Sequence, residues 1–152
     1  MRGSSVTCWR SQLEKTVLAM AFLESRLKKL ILVVEDEPGN AELLRVFLEA
    51  EGYRVAVASN GKVGLEFLAG EEPAAILSDF VMPDVSGAEL GLAVRDNPRL
   101  DDIPFVVLSG TSEAVVRETF ADYDAFVAKP YWPEALMRVV ADLVTHGRPA
   151  RR

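Results

Sequence analysis

The chain has 152 residues, of which 49% are hydrophobic and 26% are charged. This length and composition fit one globular domain and exclude two large ones. A single cysteine excludes an intramolecular disulfide and a cysteine-based zinc site, and it suits a reducing cytoplasm. The formal net charge of −6 opposes binding to phosphate backbones, so nucleic acid is not expected as a partner.

The charge is distributed unevenly along the chain. Residues 1–29 contain six basic and two acidic residues, a net charge of +4, and the tail 147–152 adds three arginines. The segment 31–146 contains 8 basic and 21 acidic residues, a net charge of −13. This distribution, together with the pattern of elements below, divides the chain into a basic leader (1–29), an acidic domain (30–146) and a basic tail (147–152).

The leader contains a short apolar run, Thr16–Leu23, between charged residues. Eight residues cannot span a bilayer, and the flanking charges argue against a signal peptide, so no membrane partner is expected. The spacing of its apolar residues predicts a helix from about Ser11 to Lys29. Two interpretations stay open: the helix packs on the domain or on a second chain, which would form a homodimer, or the leader is mobile and translation begins at Met20.

From Leu30 onward, short apolar runs alternate with segments of helical period, which is typical of β-α-β units and a parallel sheet. The first, third and fourth runs are almost entirely apolar and are expected as central strands. The second and fifth are weaker and are expected at the edges. The predicted fold is α/β, a doubly wound five-stranded parallel sheet in the order 2-1-3-4-5 with five helices. The predicted strands are Leu30–Val34, Tyr53–Ala58, Ala74–Leu77, Ile103–Leu108 and Ala125–Ala128.

Polar residues follow several of these strands. The carboxyl ends of parallel strands meet at one edge of the sheet, so these residues are expected to converge there. Carboxylates brought together repel unless a cation lies between them, and a few oxygen ligands indicate Mg²⁺ rather than calcium. Asp79 is a candidate nucleophile that could form an aspartyl phosphate, with Lys129 and Ser109 opposite the phosphoryl oxygens. The converging residues are Glu35, Asp36, Asp79, Ser109 and Lys129.

In this order, these residues resemble the receiver domain of two-component response regulators, of the stand-alone, CheY-like type. The resemblance covers about residues 30–146 and implies a flavodoxin-like fold. It rests on the acidic pair Glu35–Asp36, the segment Ile76–Pro83 with Gly87, the pair Ser109–Gly110 and the pair Lys129–Pro130.

The resemblance also implies roles for individual residues. Asp79 would accept a phosphoryl group from a histidine kinase or a phosphotransfer protein. Asp36, Asp79 and the backbone carbonyl of Val81 would bind Mg²⁺, and Glu35 would act through a water molecule on the metal. Ser109 and Phe126 would be the switch residues that respond to phosphorylation.

The expected output of such a domain is a change in protein binding. The face formed by the domain's fourth helix, fifth strand and fifth helix would bind a downstream protein. Neither the leader nor the six residues after His146 could form a DNA-binding domain. We therefore expect a cytoplasmic phosphoacceptor in a two-component or phosphorelay system. It would not be an enzyme in the usual sense, although self-phosphorylation from small phosphodonors and autodephosphorylation are expected.

Three alternatives use a similar sheet. A phosphatase of the haloacid dehalogenase type needs Asp-x-Asp after the first strand, but Pro38 stands two residues after Asp36. A flavin-binding module needs a phosphate-binding loop, where the acidic residues 35–37 would repel the phosphate. A receiver-like scaffold that is never phosphorylated is disfavoured because every required group is present. The segment Ala121–Ala125 also departs from the receiver pattern, since the family often has Gly-Ala at this point.

Overall fold

The structure is a computed structural model that describes residues 5–150; residues 1–4 of the leader and 151–152 of the tail lie outside the described part. Between residues 5 and 150, helices and strands alternate after an N-terminal helix. In chain order the elements are α1 (Ser5–Leu27), β1 (Leu30–Val34), α2 (Pro38–Ala50), β2 (Arg54–Ala58), α3 (Gly61–Leu68), β3 (Ala75–Asp79), α4 (Gly87–Asp96), β4 (Phe105–Ser109), α5 (Glu113–Thr119), β5 (Ala125–Ala128) and α6 (Pro133–His146).

The five strands form one parallel sheet in the order β2-β1-β3-β4-β5, which confirms the predicted fold and topology. The strands β1, β3 and β4 are buried on both faces, whereas β2 and β5 lie at the edges, as expected from their weaker apolar patterns. The strand order reverses beside β1, which pairs with β2 on one side and with β3 on the other. In sheets of this kind, ligands bind in the crevice at the carboxyl ends of the strands where the strand order reverses.

Side chains alternate between the two faces along each strand, so the apolar central strands direct apolar side chains to both faces, and helices cover both. On one face, Ile31 and Val33 of β1 pack with apolar residues of α2 and α6, such as Leu44 and Leu136. On the other face, Leu32 and Val34 pack with apolar residues of α3, α4 and α5. The resulting two-sided core fixes the carboxyl ends of the strands, from which the candidate site is built.

The helix predicted in the leader is present, but α1 runs from Ser5 to Leu27 rather than from Ser11 to Lys29. The segment contains neither glycine nor proline, so the helix extends through Ser11, and β1 begins at Leu30 and limits its other end. Every α1 side chain whose burial the structure describes is exposed, so the described part of the helix does not pack on the domain. Among residues 5–150, no helix combines the length and the apolar character needed to cross a membrane.

Candidate functional site

Three acidic residues predicted to converge lie together at the carboxyl edge of the sheet. Glu35 and Asp36 follow β1, and Asp79 is the last residue of β3, its neighbour in the sheet. One carboxylate oxygen from each lies within 4.8 Å of the others. Glu35 is buried, Asp79 is half-buried and Asp36 is exposed. A compact set of carboxylate oxygens open to solvent on one side fits the ligand preference of Mg²⁺.

The ammonium group of Lys129, just after β5, faces two of these carboxylates. Its Nζ lies 3.3 Å from Asp79 Oδ2 and 3.3 Å from Glu35 Oε2. Burial lowers the pKa of Lys129, but the attraction of Asp79 and Glu35 outweighs burial and holds the pKa above its ordinary value. Lys129 is therefore a cation at neutral pH. Its backbone N–H donates to the Ser109 carbonyl (2.8 Å), and the following bond to Pro130 is cis.

Both oxygens of Glu35 have partners within the protein. Oε1 accepts a hydrogen bond from the Glu37 N–H (3.1 Å), and Oε2 accepts one from Lys129 (3.3 Å). Burial raises the pKa of Glu35, the Glu37 N–H opposes this, and the Asp79 carboxylate raises the pKa further against the attraction of Lys129. Together these effects leave the pKa of Glu35 above its ordinary value, with burial as the main cause.

Ser109 and Val81 lie at the same edge of the sheet. Ser109 is the last residue of β4, and its buried Oγ accepts a hydrogen bond from the Thr111 N–H (2.9 Å). Val81 lies in the loop after Asp79 with an exposed side chain. The structure thus places both at the site's edge; the predicted roles of the Ser109 hydroxyl and the Val81 carbonyl remain predictions.

Gly87, the first residue of α4, lies in close contact with the end of β3. A Cβ on Gly87 would overlap the carbonyl oxygen of Asp79, and the Gly87 N–H donates to the Phe80 carbonyl at 3.0 Å. Ser86 caps α4 by accepting from the Glu89 N–H (3.2 Å). The absence of a side chain at Gly87 therefore allows α4 to begin directly beside the candidate nucleophile.

Phe126, the predicted switch aromatic, lies half-buried on β5. Its ring is 6.2 Å from that of Tyr123, which in turn contacts Phe120 at the end of α5. The Tyr123 hydroxyl donates to Glu113 at the start of α5 (2.5 Å). This hydrogen bond lowers the pKa of Glu113, with help from Arg117. Phe126 is thus linked to α5 through Tyr123, and its switch role stays a prediction.

Sequence reasoning missed an ion cluster at the opposite edge of the sheet. The side chain of Asp124 is 3% exposed and accepts from Arg95 (2.9 Å), Arg148 (2.8 Å) and the Phe105 N–H (2.7 Å). Burial lowers the pKa of Arg148, but the Asp124 carboxylate outweighs burial and keeps the pKa above its usual value. The only signal in the sequence was the unusual acidic pair Asp122 and Asp124, since both arginines lie more than twenty residues away.

The fold and the site together place the protein in a class of domains: those with a doubly wound parallel sheet that has an acidic cluster and a lysine at its carboxyl edge. The model of the response regulator receiver domain matches residues 31–141. The chain therefore belongs to the response regulator receiver family, which confirms the resemblance seen in the sequence. Receiver domains are signalling domains that interact with histidine kinases and downstream targets and bind Mg²⁺ in their active site.

Three relatives illustrate the similarity. An uncharacterised 14.6 kDa protein of Leptolyngbya boryana is 39% identical over 115 residues, which cover 72% of this chain and 86% of that protein. Response regulator Rre1 of Synechocystis is 33% identical, covering 75% of this chain, which spans only 51% of Rre1. The receiver domain of the sensor histidine kinase PA1611 from Pseudomonas aeruginosa has a magnesium ion in its active-site cleft. It is 25% identical with a TM-score of 0.73, and the match covers 78% of this chain and 98% of that one.

Proposed function

We propose that this receiver domain (residues 30–146) accepts a phosphoryl group on Asp79 from a histidine kinase or a phosphotransfer protein. The observation that carries the proposal is the position of the Lys129 ammonium, 3.3 Å from a carboxylate oxygen of Asp79, which itself lies within 4.8 Å of carboxylate oxygens of Glu35 and Asp36. A carboxylate nucleophile needs neutralisation of the charge on the incoming phosphoryl group, and this site combines a fixed cation with ligands for a metal.

The chemistry is a phosphoryl transfer between the donor and Asp79. A carboxylate oxygen of Asp79 attacks the phosphorus atom; the new O–P bond forms, the bond from phosphorus to the donor breaks, and its electron pair stays on the donor. Asp36, Asp79 and the Val81 carbonyl would hold Mg²⁺, with Glu35 acting through water. When bound, Mg²⁺ supplies positive charge to the phosphoryl oxygens.

Lys129 and Ser109 would contact the phosphoryl oxygens once the phosphoryl group is attached to Asp79. Ser109 can do so by exchanging its present hydrogen bond with Thr111 for one to the phosphoryl group. Phe126 on β5, whose ring lies 6.2 Å from that of Tyr123, would respond to that movement. The output surface is then the face formed by α5, β5 and α6, which would change its affinity for a downstream protein.

The test is phosphorylation by a small donor. The protein incubated with acetyl phosphate and Mg²⁺ should gain one phosphoryl mass, whereas Asp79→Asn should gain none. Asp84→Asn is the matched control, because it removes an exposed carboxylate from the same loop, and it should be labelled like the original. Labelling of Asp79→Asn to the same extent as the unmodified protein would overturn the proposal.

A further inference from the structure

The helix α1 carries an apolar seam that nothing described in the structure covers. Along the chain, the residues of this seam follow one another at intervals that alternate between four and three, which is the heptad spacing of a coiled coil. Each seam residue is exposed, although five of the six are large and hydrophobic. Exposed apolar stripes of this kind mark interaction sites. The seam consists of Trp9, Leu13, Thr16, Met20, Leu23 and Leu27.

A single exposed helix also lacks the packing that stabilises most helices. Helices in water gain little from propensity alone, and α1 includes the adjacent β-branched residues Thr16 and Val17, which are poor helix formers. A partner that buries the seam would supply the missing stabilisation. The spacing of the seam indicates that this partner is another helix, because alternating intervals of three and four keep one stripe facing a supercoiled neighbour.

A row of residues beside the seam indicates which helix is the partner. Arg10, Val17 and Glu24 are spaced seven residues apart and lie along one flank of the seam. In an antiparallel pair of identical helices, this row meets its own copy in reverse order. Arg10 of each helix then lies beside Glu24 of the other, and the two Val17 side chains meet at the twofold axis.

We propose that α1 pairs with α1 of a second copy of this chain as an antiparallel two-stranded coiled coil. The same register matches the seam layer by layer. Leu13 packs against Leu23 of the other copy, Trp9 against Leu27, and Met20 against Thr16. Each layer combines side chains that fill the space between two helices, and no charged residue enters the seam.

The charge of the domains also favours the antiparallel arrangement. Only two residues separate the end of α1 from the start of β1, so each domain is held close to the end of its helix. A parallel pair would place two domains, each with a net charge of −13, side by side. An antiparallel pair places them at opposite ends of a helix about 35 Å long, beyond the Debye length at physiological salt.

An anionic membrane surface fits the helix less well. A helix that lies on lipid has a wide apolar face and a polar face opposite. In α1 the seam is narrow, and Leu18 lies on the opposite side near Glu14 and Ser11. The acidic domain joined directly to the helix would also be repelled by anionic lipid. The observations therefore favour a protein helix of the same sequence.

The primary test is the solution mass of the full chain by sedimentation equilibrium, with reductant because Cys8 is exposed. The unmodified protein should approach the mass of a dimer as its concentration rises. The double variant Leu13→Glu/Met20→Glu should be monomeric, whereas Leu18→Glu, which changes an exposed leucine on the opposite side, should dimerise like the original. A monomeric unmodified protein, or a seam variant that still dimerises, would overturn the proposal.

A charge exchange tests the antiparallel register. Arg10→Glu and Glu24→Arg should each weaken dimerisation about tenfold, because each replaces two attractive pairs with repulsive ones. The double exchange should restore the affinity. In a parallel pair the two residues never meet, so a double variant as weak as the single ones would contradict the antiparallel arrangement.

Two further measurements distinguish the coiled-coil dimer from binding to lipid and from the proposed phosphorylation of Asp79. Vesicles of phosphatidylserine and phosphatidylcholine should not sediment the protein; a monomer that binds them would assign the helix to lipid instead. The variant Asp79→Asn should dimerise like the original, since the seam does not involve the carboxyl edge of the sheet. The outcome is therefore independent of whether Asp79 accepts phosphate.

Discussion

The ammonium group of Lys129 faces two carboxylates at equal distances of 3.3 Å, one on the half-buried Asp79 and one on the buried Glu35. Because β5 lies at the edge of the sheet, two strands away from β3, the side chain reaches over the end of β4 to make both contacts. A cation held in this way is already oriented before any phosphoryl group arrives. Its contribution is greatest when negative charge develops on the oxygens opposite it.

We expect Lys129→Ala to slow phosphorylation by acetyl phosphate about 10²-fold, the usual cost of losing one preorganised group of this kind. The rate of mass increase with Mg²⁺ present measures the effect. Lys62→Ala is the control, because Lys62 is an exposed lysine on α3. If Lys129→Ala were labelled as fast as the control, Lys129 would have no role in the transfer.

At the scale of elements, the start of α4 depends on its contact with the end of β3. Gly87 is buried there, and its N–H bonds to the carbonyl of Phe80. The loop between the two elements also contains Asp84, whose positive φ of 65° makes the turn tight. Because a side chain on Gly87 would meet the Asp79 carbonyl, a change at Gly87 would disturb both the start of α4 and the backbone of the candidate nucleophile.

Gly87→Ala should lower the free energy of unfolding by about 1–3 kcal/mol, because the added methyl group overlaps the Asp79 carbonyl and the backbone must shift. Urea unfolding followed by circular dichroism measures the loss. Gly70→Ala is the control, since a Cβ at Gly70 meets no atom within 4 Å and the residue does not need a positive φ. Equal stabilities of the two variants would show that the loop relaxes without cost.

At the scale of the whole molecule, the Asp124 cluster joins segments that are far apart in the chain. Arg95 comes from α4, and Arg148 comes from the chain just after α6. Both also donate to the carbonyl of Asp101 in the loop before β4 (2.9 and 2.7 Å). The cluster therefore fixes the amino edge of the sheet, while the candidate site occupies the carboxyl edge.

We expect Asp124→Ala to lower the free energy of unfolding by about 3–5 kcal/mol, because two largely buried guanidinium groups lose their shared carboxylate. Urea unfolding again provides the measurement. The matched control is Asp142→Ala, which breaks an exposed pair with His146 and should change stability by less than about 1 kcal/mol. A loss for Asp124→Ala no larger than for the control would mean that solvent replaces the carboxylate.

How much the sequence could predict depended on the range of the interactions. Strands and sheet order follow from apolar periodicity, which is local, and the acidic site follows because Glu35 and Asp79 come directly after buried strands. The first turns of α1 were missed because Ser11 resembles a helix start and residues 5–10 contain several weak helix formers, although no glycine or proline interrupts them. The Asp124 cluster could not be predicted, because its partners are distant in sequence and no periodic pattern connects them.

The position of Arg148 has a practical consequence for anyone who expresses the domain alone. Its Nε lies 2.8 Å from Asp124, so the residue belongs to the folded body although it follows the last helix. A fragment that stops at His146 would discard one of the two guanidinium groups that share the Asp124 carboxylate. A truncated version of the domain should therefore end beyond Arg148, and affinity tags or fusion partners added at this end should begin after it, joined through a spacer.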